Sequence, residues 1–368
     1  MPTSTIQKES PEYVRVSTAA DITLGFSLGK FWRNARLYCI NLLLHYNEGC
    51  VANCLYCGQA REVASTTLCK SLIRVEWPLR KLEAIIQRIK ENLIGGGCFL
   101  RPYRVCVATI TNRKAVKGTI EIVKKVWDEL SIPISALISP TIFDRDSLYN
   151  LRGAGAERIG IAIDCASSEL FDILRGQRAR GPHRWKRYLD GVVEAVDIFG
   201  KNKVGIHLII GLGETEKEAV ELIQWAHDMG AETHLFSFYP ESNTVLEEWV
   251  RPPISQYRRV QLARYLIDME IVRAEEIQFN EYEQIVDFGL RKDVLNDIIY
   301  TGEPFMTSGC PGCNRPFANE RPGESLRNYP FPPTPTEIPK IAEQIEHYDV
   351  PSNTKRELVA YLKGRGFQ

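Results

Sequence analysis

Cysteines carry the chemistry that can be read from this sequence. Of the 10, three stand in Cys50-Val-Ala-Asn-Cys54-Leu-Tyr-Cys57 and two in Cys310-Pro-Gly-Cys313. Thiolate sulfur is a soft ligand that selects zinc, cuprous copper or iron–sulfur clusters. In a long chain without a disulfide-rich pattern, close groups of this kind favour metal over disulfides. Three is the informative number. A [4Fe–4S] cube has four irons, so three thiolates leave one iron open to an exchangeable ligand, whereas electron-transfer clusters normally have four cysteines. An open iron implies chemistry. The alternative is a zinc knuckle, but zinc wants a fourth close Cys or His, and the nearest histidine, His45, precedes the triad within an expected strand.

The second group, Cys310 and Cys313, sits on a Gly/Pro turn whose free amide N–H groups would point at sulfur and stabilise an anionic cluster. It is half a site. One or two further ligands must come from elsewhere, with Cys39 or Cys106 on strands, or a side chain such as Asn314 or Arg315, as candidates. A two-cysteine redox pair or half of a zinc site are the other readings. Cys39, Cys69, Cys98, Cys106 and Cys165 also read as small buried apolar residues. If the strand before the turn is the last of a barrel, the turn belongs at the C-terminal mouth, beside the first group.

The elements that must hold these groups alternate along the chain. Strands are expected at 36–45, 103–110, 134–138, 158–164, 203–210 and 232–239, and amphipathic helices at 79–94, 114–130, 185–199, 215–229 and 254–273. Weaker stretches at 276–280 and 304–307 could add a seventh and an eighth strand. The uninterrupted apolar run Ile206-His207-Leu208-Ile209-Ile210 suits a strand covered on both faces. The fold class is therefore α/β, a parallel (βα) barrel, complete or partial TIM-type. Residues 1–35 are expected as an N-terminal extension packed against the barrel and 36–308 as the barrel. Residues 309–368 are expected as a C-terminal cluster-binding loop followed by helices at 336–346 and 352–362, the second capped by Ser or Asn.

Composition removes several classes. The chain has 368 residues with Lys+Arg 46 against Asp+Glu 46, a formal net charge of +0, so no basic field draws nucleic acid. No apolar run approaches the ~18 residues of a membrane span, and the first 30 residues lack the order of a signal peptide. A cytoplasmic protein is expected.

The Cys-x3-Cys-x2-Cys after the first barrel strand, with aromatic Tyr56 before its last cysteine, resembles the radical S-adenosylmethionine superfamily. The resemblance implies that Cys50, Cys54 and Cys57 hold a [4Fe–4S] cluster whose open iron chelates S-adenosylmethionine. Reductive cleavage of that cofactor yields the radical that takes hydrogen from a substrate. Further matches resemble the biotin synthase-like branch. In Ile209-Ile210-Gly211-Leu212-Gly213-Glu214-Thr215 the strand end would pass the adenine, implying contacts at Ile209, Gly211 and Glu214, with Glu214 opening the next helix. Ile163-Asp164 resembles the site that takes the ribose hydroxyls, although the usual asparagine two residues earlier is Ala162. Arg178 would be a carboxylate partner.

The departures from biotin synthase are equally informative. Its barrel cluster uses three cysteines and an arginine. Here Cys106 fits the first, but Ser135-Ala136-Leu137 and Val204-Gly205-Ile206 lack the other two. Such a barrel with a C-terminal Cys-x2-Cys instead resembles the two-protein lipoyl synthases. That implies sulfur insertion into an octanoyl chain on a carrier-domain lysine, the sulfur coming from a second [4Fe–4S] cluster held through Cys310 and Cys313. Partners would be an octanoylated lipoyl-carrier domain or H protein, a second radical subunit, and a reductant such as ferredoxin or flavodoxin. The alternatives are a radical maturase or mutase of the same branch, of the hydrogenase-cofactor or methylornithine type, and a non-enzymatic iron–sulfur scaffold.

Overall fold

Each β-branched run pairs with the next in parallel, as the alternation of strands and helices requires. The structure, a computed structural model, describes residues 8–63, 76–94, 104–318, 320 and 323–367. The strands are β1 (Tyr13–Val16), β2 (Cys39–Leu44), β3 (Leu79–Lys81), β4 (Arg104–Ala108), β5 (Ile134–Ile138), β6 (Arg158–Asp164), β7 (Val204–Ile210) and β8 (Glu232–Ser237). They form one sheet in the order β3-β1-β2-β4-β5-β6-β7-β8. From β2 through β8 every neighbouring pair is parallel. Among the described residues β3 and β8 do not pair with each other, so the sheet is an open, partial TIM-type barrel of six parallel strands.

The N-terminal extension contributes to this sheet. β1 runs antiparallel between β2 and β3, turning a parallel edge into an interior position. Residues 79–81, expected as helix, pair with β1 before the helix begins.

Helices α1 (Thr18–Thr23), α2 (Leu82–Ile94), α3 (Ala115–Leu130), α4 (Arg145–Gly153), α5 (Ser168–Arg175), α6 (Trp185–Phe199), α7 (Glu216–Asp228) and α8 (Ile254–Asp268) accompany the strands. They cover one face of the sheet, where Ile40, Leu42, Val105, Val107, Ile161, Ile206 and Leu208 have no exposure. Burying each such chain contributes about 1.5–3 kcal/mol. The alternate positions Asn41, Cys106, Ala108, Leu137, Ala162, His207, Ile209 and Phe236 are all partly exposed. Period-2 alternation puts this second set on the concave face. The inside of the half barrel is thus open to solvent and not a packed core.

The two weak strand candidates do not extend the sheet. Residues 276–280 supply β9 (Gln278–Phe279), which pairs only with β10 (Ile285–Asp287) in a separate antiparallel ribbon. Residues 304–307 belong to a 3-10 turn at Glu303–Phe305 and an isolated bridge from Met306 to Tyr329. Beyond them come α9 (Lys292–Thr301), which precedes this turn, and the terminal α10 (Ile338–Ile345) and α11 (Lys355–Lys363). The cap of α11 is Thr354, whose hydroxyl accepts from the Glu357 amide, in place of the expected Ser352 or Asn353.

The C-terminal segment is tied down by charges buried on α8. Arg258 donates to the carbonyls of Leu326 and Arg327, and Arg259 to Glu216 and to the carbonyls of Ile345 and His347. Both side chains are fully buried. Such burial is tolerable because every charge is paired or hydrogen-bonded.

Candidate active site

The triad loop follows β2 and therefore lies at the C-terminal end of the parallel strands. It winds in tight turns, with the Cys57 amide donating to the Cys54 carbonyl at 3.0 Å and the Ala60 amide to the Cys57 carbonyl at 2.9 Å. The Gln59 amide donates to Cys57 Sγ at 3.4 Å, the bond a thiolate ligand would accept. Neighbouring loops clamp it. Val51 N donates to Thr111 O, Leu55 N to Leu174 O, and Asn53 Nδ2 to Ala179 O. Cys54 is buried, which pushes its thiol up to about 12, while Cys50 and Cys57 are half-exposed.

Beside the triad stands Asp164, the last residue of β6, in the left-handed region at φ +65. A non-glycine residue held there is costly and is found where the surroundings dictate it. Its Oδ2 accepts the Tyr56 hydroxyl at 2.5 Å and Arg175 Nη1 at 2.7 Å. Arg175 is buried, donates also to the carbonyls of Ala162 and Ile163 and to Tyr188 Oη, and lies over the rings of Phe171 and Tyr188. Arg178, expected as a carboxylate partner in cofactor binding, is exposed beside Ile173, Val359 and Phe367. Nothing in the local sequence separates the two arginines. Only the end of α5, which turns Arg175 inward, does so.

The strand end after β7 folds as a backbone turn, with Gly211 at φ +109 and Gly213 at φ +108. A side chain at Gly211 would also collide with Pro252. Glu214 does not open the next helix. Its carboxylate turns back to accept the Gly211 amide at 2.6 Å and the Leu212 amide at 2.9 Å, while Thr215 caps α7 in a capping box with Glu218. Ile209 is half-buried on the concave face.

Burial pushes the Glu214 carboxyl up to about 7, against the downward pull of those amides. The folded chain therefore binds more protons than the unfolded chain between pH ~4.5 and ~7, so Glu214 costs stability as pH rises through that window, by up to roughly 3 kcal/mol. Glu214→Gln should flatten this decline. Chemical denaturation at pH 5.5 and 8 checks it, and an unchanged pH dependence in the variant would place the cost elsewhere.

The second cysteine group gathers at the opposite end of the strands, not at the mouth. The Cys39 thiol, first in β2, faces Cys106 and Cys313, and Cys310 faces Cys106 and Cys313. The Ser135 hydroxyl, near the start of β5, donates to Cys310 Sγ at 3.2 Å, and Arg104, first in β4, donates to the Pro311 carbonyl. The cause is topological. A helix in a βα unit runs back to the N-terminal end of the strands, and among the described residues no seventh parallel strand follows α8 to return the chain to the mouth. Contact with Cys39, then the Arg315 and Arg104 charges, pulls the Cys313 thiol down to about 6.

Four thiols from β2, β4 and the loop are a donor set that fits a cluster. Among the described residues no three His, Cys, Asp or Glu side chains form a group closed around a single metal ion. Asn314 is a pin: its amide bonds to the Arg36 carbonyl and its oxygen accepts from the Tyr38 amide. Arg315 donates to the Ser308 carbonyl and lies over Phe236. Cys165 is buried as expected, and Cys69 and Cys98 lie outside the described residues.

An open parallel half barrel with a cysteine triad after its first parallel strand defines a class. The chain belongs to the Radical SAM superfamily, whose family model matches residues 44–226. Membership implies a [4Fe–4S] cluster and S-adenosylmethionine as cofactor. GTP 3′,8-cyclase from Picosynechococcus sp. is 25% identical over 230 residues, 61% of this chain and 61% of that protein. The chain thus spans less than two thirds of that relative. The [FeFe]-hydrogenase maturase HydG is similar in structure, with TM-score 0.50 and 14% identity over 68% of this chain and 53% of that one. Methylornithine synthase (PylB) has TM-score 0.46 and 14% identity over 95% and 86%. The HydG likeness shows the fold. No helix among the described residues is long and apolar enough to cross a membrane.

Proposed function

We propose that the chain inserts sulfur into a substrate held inside the half barrel, and that the substrate is the octanoyl chain on a carrier-domain lysine. The observation that carries the reading is the convergence of Cys39, Cys106, Cys310 and Cys313 at the far end of the concave face from the triad. When bound, S-adenosylmethionine and the triad cluster supply the hydrogen-abstracting radical, and a second cluster supplies sulfide. The protein's own residues orient and exclude. Tyr56, Asp164 and Arg175 form one hydrogen-bonded unit that fixes the triad loop against β6, and the Gly211 turn lets backbone approach the cofactor. β2 spans six residues, so the two cysteine groups stand on the order of 15–20 Å apart along the strands, room for a substrate between them. The proposed partners are an octanoylated carrier domain or H protein, a second radical subunit and a ferredoxin or flavodoxin.

The similarity to GTP 3′,8-cyclase supports a second reading, radical rearrangement or maturation of a polar small molecule without sulfur transfer. Anaerobic incubation with octanoylated carrier peptide, S-adenosylmethionine, reductant and the partner subunit separates the two. Mass analysis should find sulfur on the octanoyl chain. Cofactor cleavage that never yields a thiolated peptide would favour the second reading.

A further inference from the structure

The concave wall carries a polar group that neither cysteine site uses. His207 on β7 and His234 on β8 are register partners on the inner face, with ring centroids 5.6 Å apart. A glycine flanks each ring, and the one beside His234 is required. A Cβ at Gly205 would collide with the His234 ring, and one at Gly160 would stand 3.5 Å from His207 Nε2. His234 is 3% exposed, yet its Nε2 has no hydrogen-bond partner, with Glu232 Oε2 no nearer than 3.8 Å. A buried polar atom left without a partner is destabilising, and an acceptor reaching it would relieve that. His207 is partly exposed to the hollow of the half barrel.

The charge around the pair is uneven. Arg104 is paired with Glu157 and Arg158 with Glu232. Arg315 faces both imidazoles, and among the described residues it has no carboxylate partner. Its guanidinium lies 4.0 Å from the Phe236 ring centroid, next to His207, and its backbone is held at positive φ. Burial and Arg315 keep both imidazoles neutral, so each offers one N–H donor without needing a counter-charge.

We propose that His207, His234 and Arg315 form a subsite on the inner wall that binds one oxyanion of the substrate, a carboxylate or a phosphate. One cation and two neutral donors match such a group. The proposal does not rest on the sulfur-insertion reading: an octanoyl amide carries no oxyanion, so a substrate held at this subsite belongs with the second reading, a polar small molecule.

The test is calorimetric titration of the cluster-loaded chain with inorganic phosphate and, separately, acetate, at fixed ionic strength and without oxygen. One equivalent of either anion should bind saturably, and which one binds tells phosphate from carboxylate recognition. His207→Phe and His234→Phe should each weaken binding at least tenfold with iron content unchanged, whereas His207→Gln should keep most of the affinity and the exposed-site variant His347→Gln all of it. The absence of saturable binding for both anions would overturn the proposal. So would affinity that survives both phenylalanine variants.

Discussion

A chain with Cys50, Cys54 and Cys57 all changed to alanine is expected to stop cleaving S-adenosylmethionine while keeping part of its iron. The open iron that would chelate the cofactor depends on these three thiolates, while the hydrogen-bonded unit of Tyr56, Asp164 and Arg175 does not involve them. If the second cysteine group holds its own cube, iron should fall from about eight to about four per chain. Metal analysis and 5′-deoxyadenosine formation read the two effects separately. Iron unaltered in the triple variant would refute the cluster assignment. Iron falling to zero would remove the second centre instead.

The second large effect separates hydrogen abstraction from sulfur transfer. Abstraction needs only the triad end of the half barrel, whereas carbon–sulfur bond formation needs a sulfide within bonding distance of the substrate carbon. Cys310→Ala with Cys313→Ala should therefore still form 5′-deoxyadenosine yet attach no sulfur to carrier peptide. Because either of two subunits could act second, octanoyl and singly thiolated peptides must both be supplied with the partner. The convergence of strand and loop thiols adds a stronger requirement. Cys39→Ala with Cys106→Ala, more than 200 residues away in sequence, should reproduce the same uncoupling. Normal sulfur insertion by either double variant would make that group structural and would favour radical chemistry without sulfur transfer.

Much of the site was legible because its signals are local. The triad's spacing lies within eight residues, and a turn of that length can present three thiols to one cluster whatever surrounds it. Asp164 and the Gly211 turn were legible for a related reason, as each ends a strand whose apolar run marks where it stops. Glu214 was recognised as part of that turn but not in its role. Its sequence position suits a helix start, and only the folded turn shows the carboxylate bent back onto two amides. Arg175 was missed, since three residues separate it from Arg178 and no periodicity says which of the two faces β6.

Residue order by itself determined the six parallel strands, their helical crossovers and the existence of two cysteine groups, because hydrophobic period and ligand spacing act over a few residues. Only the tertiary structure decided where the groups lie relative to each other. The chain after α8 was free, as a sequence, to supply a seventh strand and carry Cys310 and Cys313 to the mouth; it forms a 3-10 turn and stays at the strand starts, against Cys39, Cys106 and Ser135. The same holds for Arg258 and Arg259, which are fully buried because carbonyls and Glu216, distant in sequence, meet them there. Loop closure over such separations is bought by packing across the whole sheet, a sum over contacts that no local pattern records.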